Sequence, residues 1–148
     1  MVKQSDAPPE QAAPQRRDRS RRRVLVAEDN VVNQMVIRAL LESAGIEVEV
    51  VDNGLECVER ITSIQPDIVL MDCQMPVCDG YTATSRLRAA GWTLPIIAVT
   101  ASVAAEVEER CRAAGMSGFL PKPVSRAGLL QLIADHAPLA STEAAGSR

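Results

Sequence analysis

From residue 24 onward the sequence alternates, five times over, between short runs of aliphatic residues and longer amphipathic stretches. Val24-Leu25-Val26-Ala27 reads as a buried strand, and Val32, Met35, Val36, Ala39, Leu40 and Ser43 follow at helical spacing before Gly45 closes the helix. Ile46 to Val51 alternates Val with Glu, as a strand near a sheet edge does, and Gly54 introduces a helix carrying Leu55, Val58 and Ile61. The uninterrupted run Ile68-Val69-Leu70-Met71 suits the middle of a parallel sheet. A helix around Tyr81 to Ala90 stops at Gly91, and a fourth strand covers Leu94 to Val99. Another helix, from about Val103 to Ala114, stops at Gly115; Gly118-Phe119-Leu120 makes a short fifth strand, and a last helix carries Leu129, Leu130, Leu132 and Ile133.

Five β-α repeats in about 115 residues predict an α/β fold, a doubly wound five-stranded parallel sheet with helices on both faces, because each parallel crossover needs a helix and is right-handed. The core composition agrees. Apolar residues are 47% of the chain, yet the aromatics are only Tyr81, Trp92 and Phe119, which fits Val-rich strands under Ala- and Leu-rich helices. A chain of 148 residues has room for one such core.

The flanks differ from the body. Residues 1–22 hold Pro8, Pro9 and Pro14 among Gln, Ala and Arg without apolar periodicity, so a disordered basic linker is expected there. Residues 138–148, rich in Ala, Ser and Gly, read as a loose tail, leaving 23–137 as the folded domain. Residues 1–23 carry seven basic and three acidic side chains, whereas the rest carries nine basic and sixteen acidic, so the folded part is acidic. The four cysteines form no CxxC pair and no zinc spacing and read as reduced thiols. No apolar run approaches the ~20 residues of a membrane span and the N-terminus is polar and basic, so a cytoplasmic protein is expected.

Ligands of open parallel sheets bind outside the carboxyl ends of the strands. There the sequence places Glu28-Asp29 after strand one, Asp72 after strand three, Thr100 after strand four and Lys122 after strand five. One carboxylate after a strand is as often a cap or turn former. Three in one crevice repel unless a cation or proton neutralises them. A hard divalent ion answers that need, with Asp29 and Asp72 as direct ligands, Glu28 acting through a water on the ion, and a phosphoryl oxygen completing the shell. Asp72 would then attack phosphorus as a carboxylate nucleophile, Lys122 would neutralise the phosphoryl oxygens, and the Thr100 hydroxyl would donate to one of them. Taken singly, a Lys between prolines is a solvated loop charge and a Thr ending a strand caps the next helix; taken jointly, each group sits at its own strand end with the appropriate charge.

Glu28-Asp29-Asn30, Met71-Asp72 followed by Met75-Pro76 and Asp79-Gly80, Thr100-Ala101 and Lys122-Pro123 together resemble the response-regulator receiver family, over about residues 23–136. The resemblance implies a flavodoxin-like sheet of strand order 2-1-3-4-5. It implies Asp72 as phosphorylation site, Glu28, Asp29 and the backbone carbonyl of Gln74 as holders of Mg2+ (with Mn2+ as an acceptable substitute), and Thr100 and Lys122 as switch hydroxyl and charge-neutralising lysine. It further implies Phe119 as a switch aromatic that turns inward with Thr100, and a cis Lys122-Pro123 bond. The implied donor is a histidine kinase or histidine phosphotransfer protein. The implied response is a change in the surface of helix four, strand five and helix five, where a downstream effector binds a monomer or a phosphorylation-dependent dimer. Asn33-Gln34 and Cys73-Gln74-Met75-Pro76 resemble receivers attached to hybrid histidine kinases, which Glu28 in place of Asp also fits; Gln74 and Ser102 stand where the family sets acyl-phosphate lifetime.

Other functions were weighed against this one. An aspartate-nucleophile phosphatase requires a second Asp two positions after the nucleophile, where Gln74 stands, so no turnover of external substrates is expected beyond self-phosphorylation and slow self-hydrolysis. A pseudo-receiver, acting only as an interaction module, would lack one of the groups named above. Arg16-Arg17-Asp18-Arg19-Ser20-Arg21-Arg22-Arg23 could track phosphates of nucleic acid or an anionic membrane surface, but no aromatic interleaves the arginines, and a solvated linker is expected. His136, in the last helical turn, is not read as a phosphohistidine.

Overall fold

A computed structural model describes residues 20–102 and 104–138. The expected basic linker and loose tail therefore fall almost wholly outside the described residues, as does Val103. The elements run in chain order as β1 (Arg23–Ala27), α1 (Val31–Glu42), β2 (Glu47–Val51), α2 (Gly54–Ile64), β3 (Ile68–Asp72), α3 (Gly80–Ala89), β4 (Ile96–Thr100), α4 (Ala105–Ala114), β5 (Gly118–Pro121) and α5 (Arg126–His136). All neighbouring strands pair in parallel in the order β2-β1-β3-β4-β5. The all-apolar run of β3 is thus central and the Val/Glu alternation of β2 lies at an edge.

Successive side chains on a strand face opposite ways, and the core divides accordingly. Leu25, Val69, Met71, Ile96 and Ala98 pack under α2, α3 and α4, with Cys57, Ile61, Leu87 and Cys111. Val24, Val26, Ile68, Leu70, Ile97 and Val99 pack under α1 and α5, with Ile37, Leu41, Leu129 and Ile133. At about 25 cal/mol per Å2 each fully buried Leu or Ile is worth roughly 2 kcal/mol, so the two clusters carry most of the folding drive.

Four of the five helices open on a side-chain cap: Asn30, Asn53, Asp79 and Ser125 each accept a hydrogen bond from the backbone N–H three residues on. Helix α4 starts at Ala104 without one. Gly45, Gly91 and Gly115 stand just past helices with positive φ, as expected of helix-ending glycines.

Two readings are corrected. The apolar stripe Val32, Met35, Val36 of α1 is not its core face: these side chains are 64%, 64% and 46% exposed, and the helix buries Ile37 and Leu41 instead. Both sets obey helical spacing, so periodicity alone could not choose between them. The fourth strand begins at Ile96, two residues later than expected, because Pro95 has no N–H for the ladder.

Candidate functional site

At the carboxyl end of the sheet, β1 ends into Glu28-Asp29, β3 ends on Asp72 and β4 on Thr100, while Lys122 follows β5. The central pair β1-β3 brings the acids together: carboxylate oxygens of Glu28, Asp29 and Asp72 lie within 4.8 Å of one another. Glu28 and Asp72 are buried and Asp29 is exposed, so the cluster is open on one side only.

Lys122 closes the crevice from the β5 side. Its Nζ donates to Asp72 Oδ2 at 3.2 Å and lies 3.3 Å from Glu28 Oε1. The Lys122–Pro123 peptide is cis, and Lys122 N donates to the Thr100 carbonyl at 2.8 Å, which fixes the loop beside β4. Thr100, itself buried, accepts from Ser102 N at Oγ1 (3.1 Å). Gln74 N donates to Asp72 Oδ1 at 3.2 Å, holding that side chain from the other flank. Gln74, with an amide instead of a carboxylate, offers no second acid at this distance from Asp72.

Burial, and then the Glu28 charge, push the Asp72 carboxyl up to about 6, against the pull of the Gln74 N–H and of Lys122. Burial draws the Lys122 ammonium down, but the Asp72 and Glu28 charges outweigh it, so its proton is held more firmly than usual. One ammonium does not satisfy this site. Glu28 Oε1 is buried without a hydrogen bond, because its 3.3 Å approach to Lys122 lacks bonding geometry, whereas Oε2 accepts from Asn30 N (3.1 Å) and Asn33 Nδ2 (3.4 Å). A buried anionic oxygen left open beside two more carboxylates is the donor set of a hard divalent cation, so the residues fit Mg2+.

Other residues of the quoted motifs carry structural roles that the sequence did not assign. Gly80 donates its N–H to the Cys73 carbonyl (3.1 Å), and a Cβ there would collide with the Asp72 carbonyl, so α3 can start against the end of β3 only with glycine. Asn30 and Asn33 anchor Glu28, and Gln34 Nε2 donates to the Glu28 carbonyl at 2.6 Å; an acid followed by an N-cap Asn at a strand-helix junction was the available signal. Phe119 stands apart from the crevice: it is half-buried and lines a surface cavity of about 220 Å3 with Glu108, Cys111, Arg112 and Met116. Glu106, Glu108 and Glu109 are exposed on α4, where Glu109 pairs with Arg112 at 2.8 Å. Of the basic run, Arg21 and Arg23 are engaged by the body of the domain, Arg21 donating to the Gly45 carbonyl (3.0 Å) and Arg23 pairing with Glu47 (2.9 Å). Among the described residues no helix is long and apolar enough to cross a membrane.

The model of the response regulator receiver domain matches residues 24–134. The chain is 37% identical over 114 residues to the sensor histidine kinase RcsC of Salmonella typhi and 38% identical over 135 residues to two-component system protein A of Emericella nidulans. It aligns over 77% and 89% of its own length but spans only 12% and 20% of theirs. Among solved structures, the receiver domain of the sensor histidine kinase PA1611 from Pseudomonas aeruginosa, with magnesium in its active-site cleft, is 41% identical with a TM-score of 0.74, covering 79% of this chain and 98% of that one. The receiver domain of Ssk1 from Saccharomyces cerevisiae, crystallised with the histidine phosphotransfer protein Ypd1, is 26% identical with a TM-score of 0.73, covering 79% of this chain and 89% of that one.

Proposed function

The chain belongs to the response regulator receiver family of two-component phosphorelay systems, and from that premise we propose that it accepts a phosphoryl group on Asp72. The observation carrying this reading is the convergence of three carboxylates and one ammonium around a buried Glu28 oxygen that has no hydrogen bond.

Glu28, Asp29, Asp72 and the Gln74 carbonyl would hold Mg2+, or Mn2+ in its place. When bound, the ion neutralises the carboxylates and the charge on the incoming phosphoryl group. An Asp72 carboxylate oxygen attacks phosphorus, the bond to the donor histidine nitrogen breaks, and an acyl phosphate remains on Asp72. Lys122 has its ammonium beside Asp72 Oδ2 and follows the charge onto the phosphoryl oxygens. Thr100 turns its hydroxyl from Ser102 N towards the new anion, and Phe119 moves into the space vacated, altering the α4-β5-α5 face for a downstream effector or a second copy of the domain. No external substrate is turned over, since nothing beside Asp72 occupies the place of a second general acid.

The donor, a histidine kinase or histidine phosphotransfer protein, would dock over α1. Val31, Val32, Met35 and Val36 expose an apolar surface there, and Asn33 and Val36 share a cavity of about 330 Å3 with Lys122, Pro123 and Val124, which leads from that surface to the crevice.

Two labelling experiments test these assignments. Asp72→Asn in Mg2+ with acetyl phosphate should lose at least about a hundredfold of the acyl-phosphate label; equal labelling of variant and parent refutes the acceptor, and a parent that takes no label at all makes the domain an interaction module only. Met35→Glu should slow transfer from a phosphotransfer protein by roughly tenfold while leaving acetyl phosphate labelling unchanged, and an equal effect on both donors refutes the docking surface.

A further inference from the structure

All four cysteines are buried and unbridged, and two of them touch: Cys73 Sγ and Cys111 Sγ are 3.7 Å apart. Cys73 directly follows Asp72, and Cys111 is the only buried residue of α4, the one helix without a side-chain cap. A helix anchored by one buried side chain opens more easily than its neighbours. Tyr81 of α3 packs against the same core cluster, with the Arg110 guanidinium 4.0 Å over its ring. On its other side Cys111 lines the 220 Å3 surface cavity beside Phe119, which gives a small oxidant a way in. Two small apolar residues would fill this part of the core as well; contact between the sulfurs together with access from the surface is what packing alone does not require.

We propose that Cys73 and Cys111 form a redox latch, in which a hydroperoxide oxidises the pair to a disulfide that fastens α4 to the segment carrying Asp72. The hydroperoxide takes one thiol to a sulfenic acid and is reduced to the alcohol or water; the second thiol displaces the sulfenic hydroxyl as water, forming the S–S bond. The sulfurs close from 3.7 Å to the ~2.05 Å of a disulfide, about 1.7 Å of travel, by a shift of α4 towards the sheet. Burial, and then the neighbouring Cys73, push the Cys111 thiol up to about 12, so the thiolate is scarce and the oxidation is slow. A fastened α4 restrains Ala104 at its start, close in sequence to Thr100, and slows phosphorylation. That consequence rests on Asp72 being the acceptor, whereas the bond itself does not.

The test uses the full chain, reduced and then exposed to hydrogen peroxide. Non-reducing peptide mapping should find a Cys73–Cys111 cross-link that dithiothreitol reverses and Cys111→Ser abolishes. Amide exchange across residues 105–114 should slow by roughly tenfold in the oxidised form. Acetyl phosphate labelling should fall by about fivefold or more, the lower range of coupling between sites, and Cys111→Ser treated with peroxide should label at the rate of the reduced parent. Absence of the cross-link, a cross-link through Cys57 or Cys78 instead, or a cross-link that leaves α4 exchange unchanged overturns the latch. Slowed exchange in a cross-linked protein whose reduced form takes no label on Asp72 upholds the latch and overturns the acceptor reading.

Discussion

The two ends of the sheet are built on opposite electrostatic plans. At the amino end of the strands, guanidinium groups meet oxygens that need them: Arg88 reaches the carbonyls of Gly115 (2.9 Å), Trp92 (3.0 Å) and Leu94 (2.8 Å), and Arg23 reaches the Ile64 carbonyl (2.6 Å) and Glu47. At the carboxyl end, three carboxylates cluster, one ammonium pairs with two of them, and one buried oxygen goes without a hydrogen bond. Val77 in the loop after Asp72 holds φ at 68° with its side chain 77% exposed, a left-handed conformation that a β-branched residue adopts only at a cost. One end closes helix termini and loops onto the sheet; the other gathers more negative charge than its one ammonium balances. Balanced and unbalanced charge are thus separated along the strand axis.

That separation can be broken at either end. Arg88→Ala leaves three carbonyls without their charged donor and should lower unfolding free energy by about 3 kcal/mol in urea titrations, with no loss of labelling at Asp72 in the folded fraction. Gly80→Ala forces a methyl against the Asp72 carbonyl and should cost about 2 kcal/mol while also disturbing labelling, since α3 and the acceptor strand must move apart.

Asp72→Asn has the opposite sign: removing a buried charge should raise metal-free stability at neutral pH by about 1 kcal/mol. The pH dependence follows. The folded Asp72 carboxyl titrates near 6, above its usual 3.8, so the folded state holds a proton that the unfolded chain has given up. This group's contribution to metal-free stability is therefore largest below about 4, declines as pH rises to about 6, and is flat above, and the Asn variant should lack the decline. By the same proton, Mg2+ affinity measured calorimetrically should fall by up to about tenfold for each pH unit below 6. Val77→Gly, which relieves the left-handed residue, should change stability by less than about 1 kcal/mol; a larger gain would mean that the carboxyl end stores more strain than charge.

Much of this plan was legible before any coordinates. Strand ends were marked by abrupt changes from aliphatic to acidic or hydroxylic residues, as at Met71-Asp72 and Val99-Thr100, and parallel topology requires such ends to meet, so Glu28, Asp29, Asp72, Thr100 and Lys122 could be grouped from sequence. The face of α1 was not legible, because Val32, Met35 and Val36 satisfy the same periodicity as Ile37 and Leu41. Arg88 gave no sign either, and Gly80 entered only as part of the Asp79-Gly80 motif, without a role. Their partners are backbone carbonyls distant in sequence or adjoining in space, and residue type does not announce a carbonyl.

The strand order has one more consequence, for how copies of this domain meet. The outermost strands are β2, which carries Glu47 and Glu49, and β5, which ends at Pro121 with Pro123 just beyond. Charges along one rim and imide nitrogens along the other leave no welcoming ladder for a foreign strand. Crowded copies are thereby steered away from continuous cross-molecule sheets.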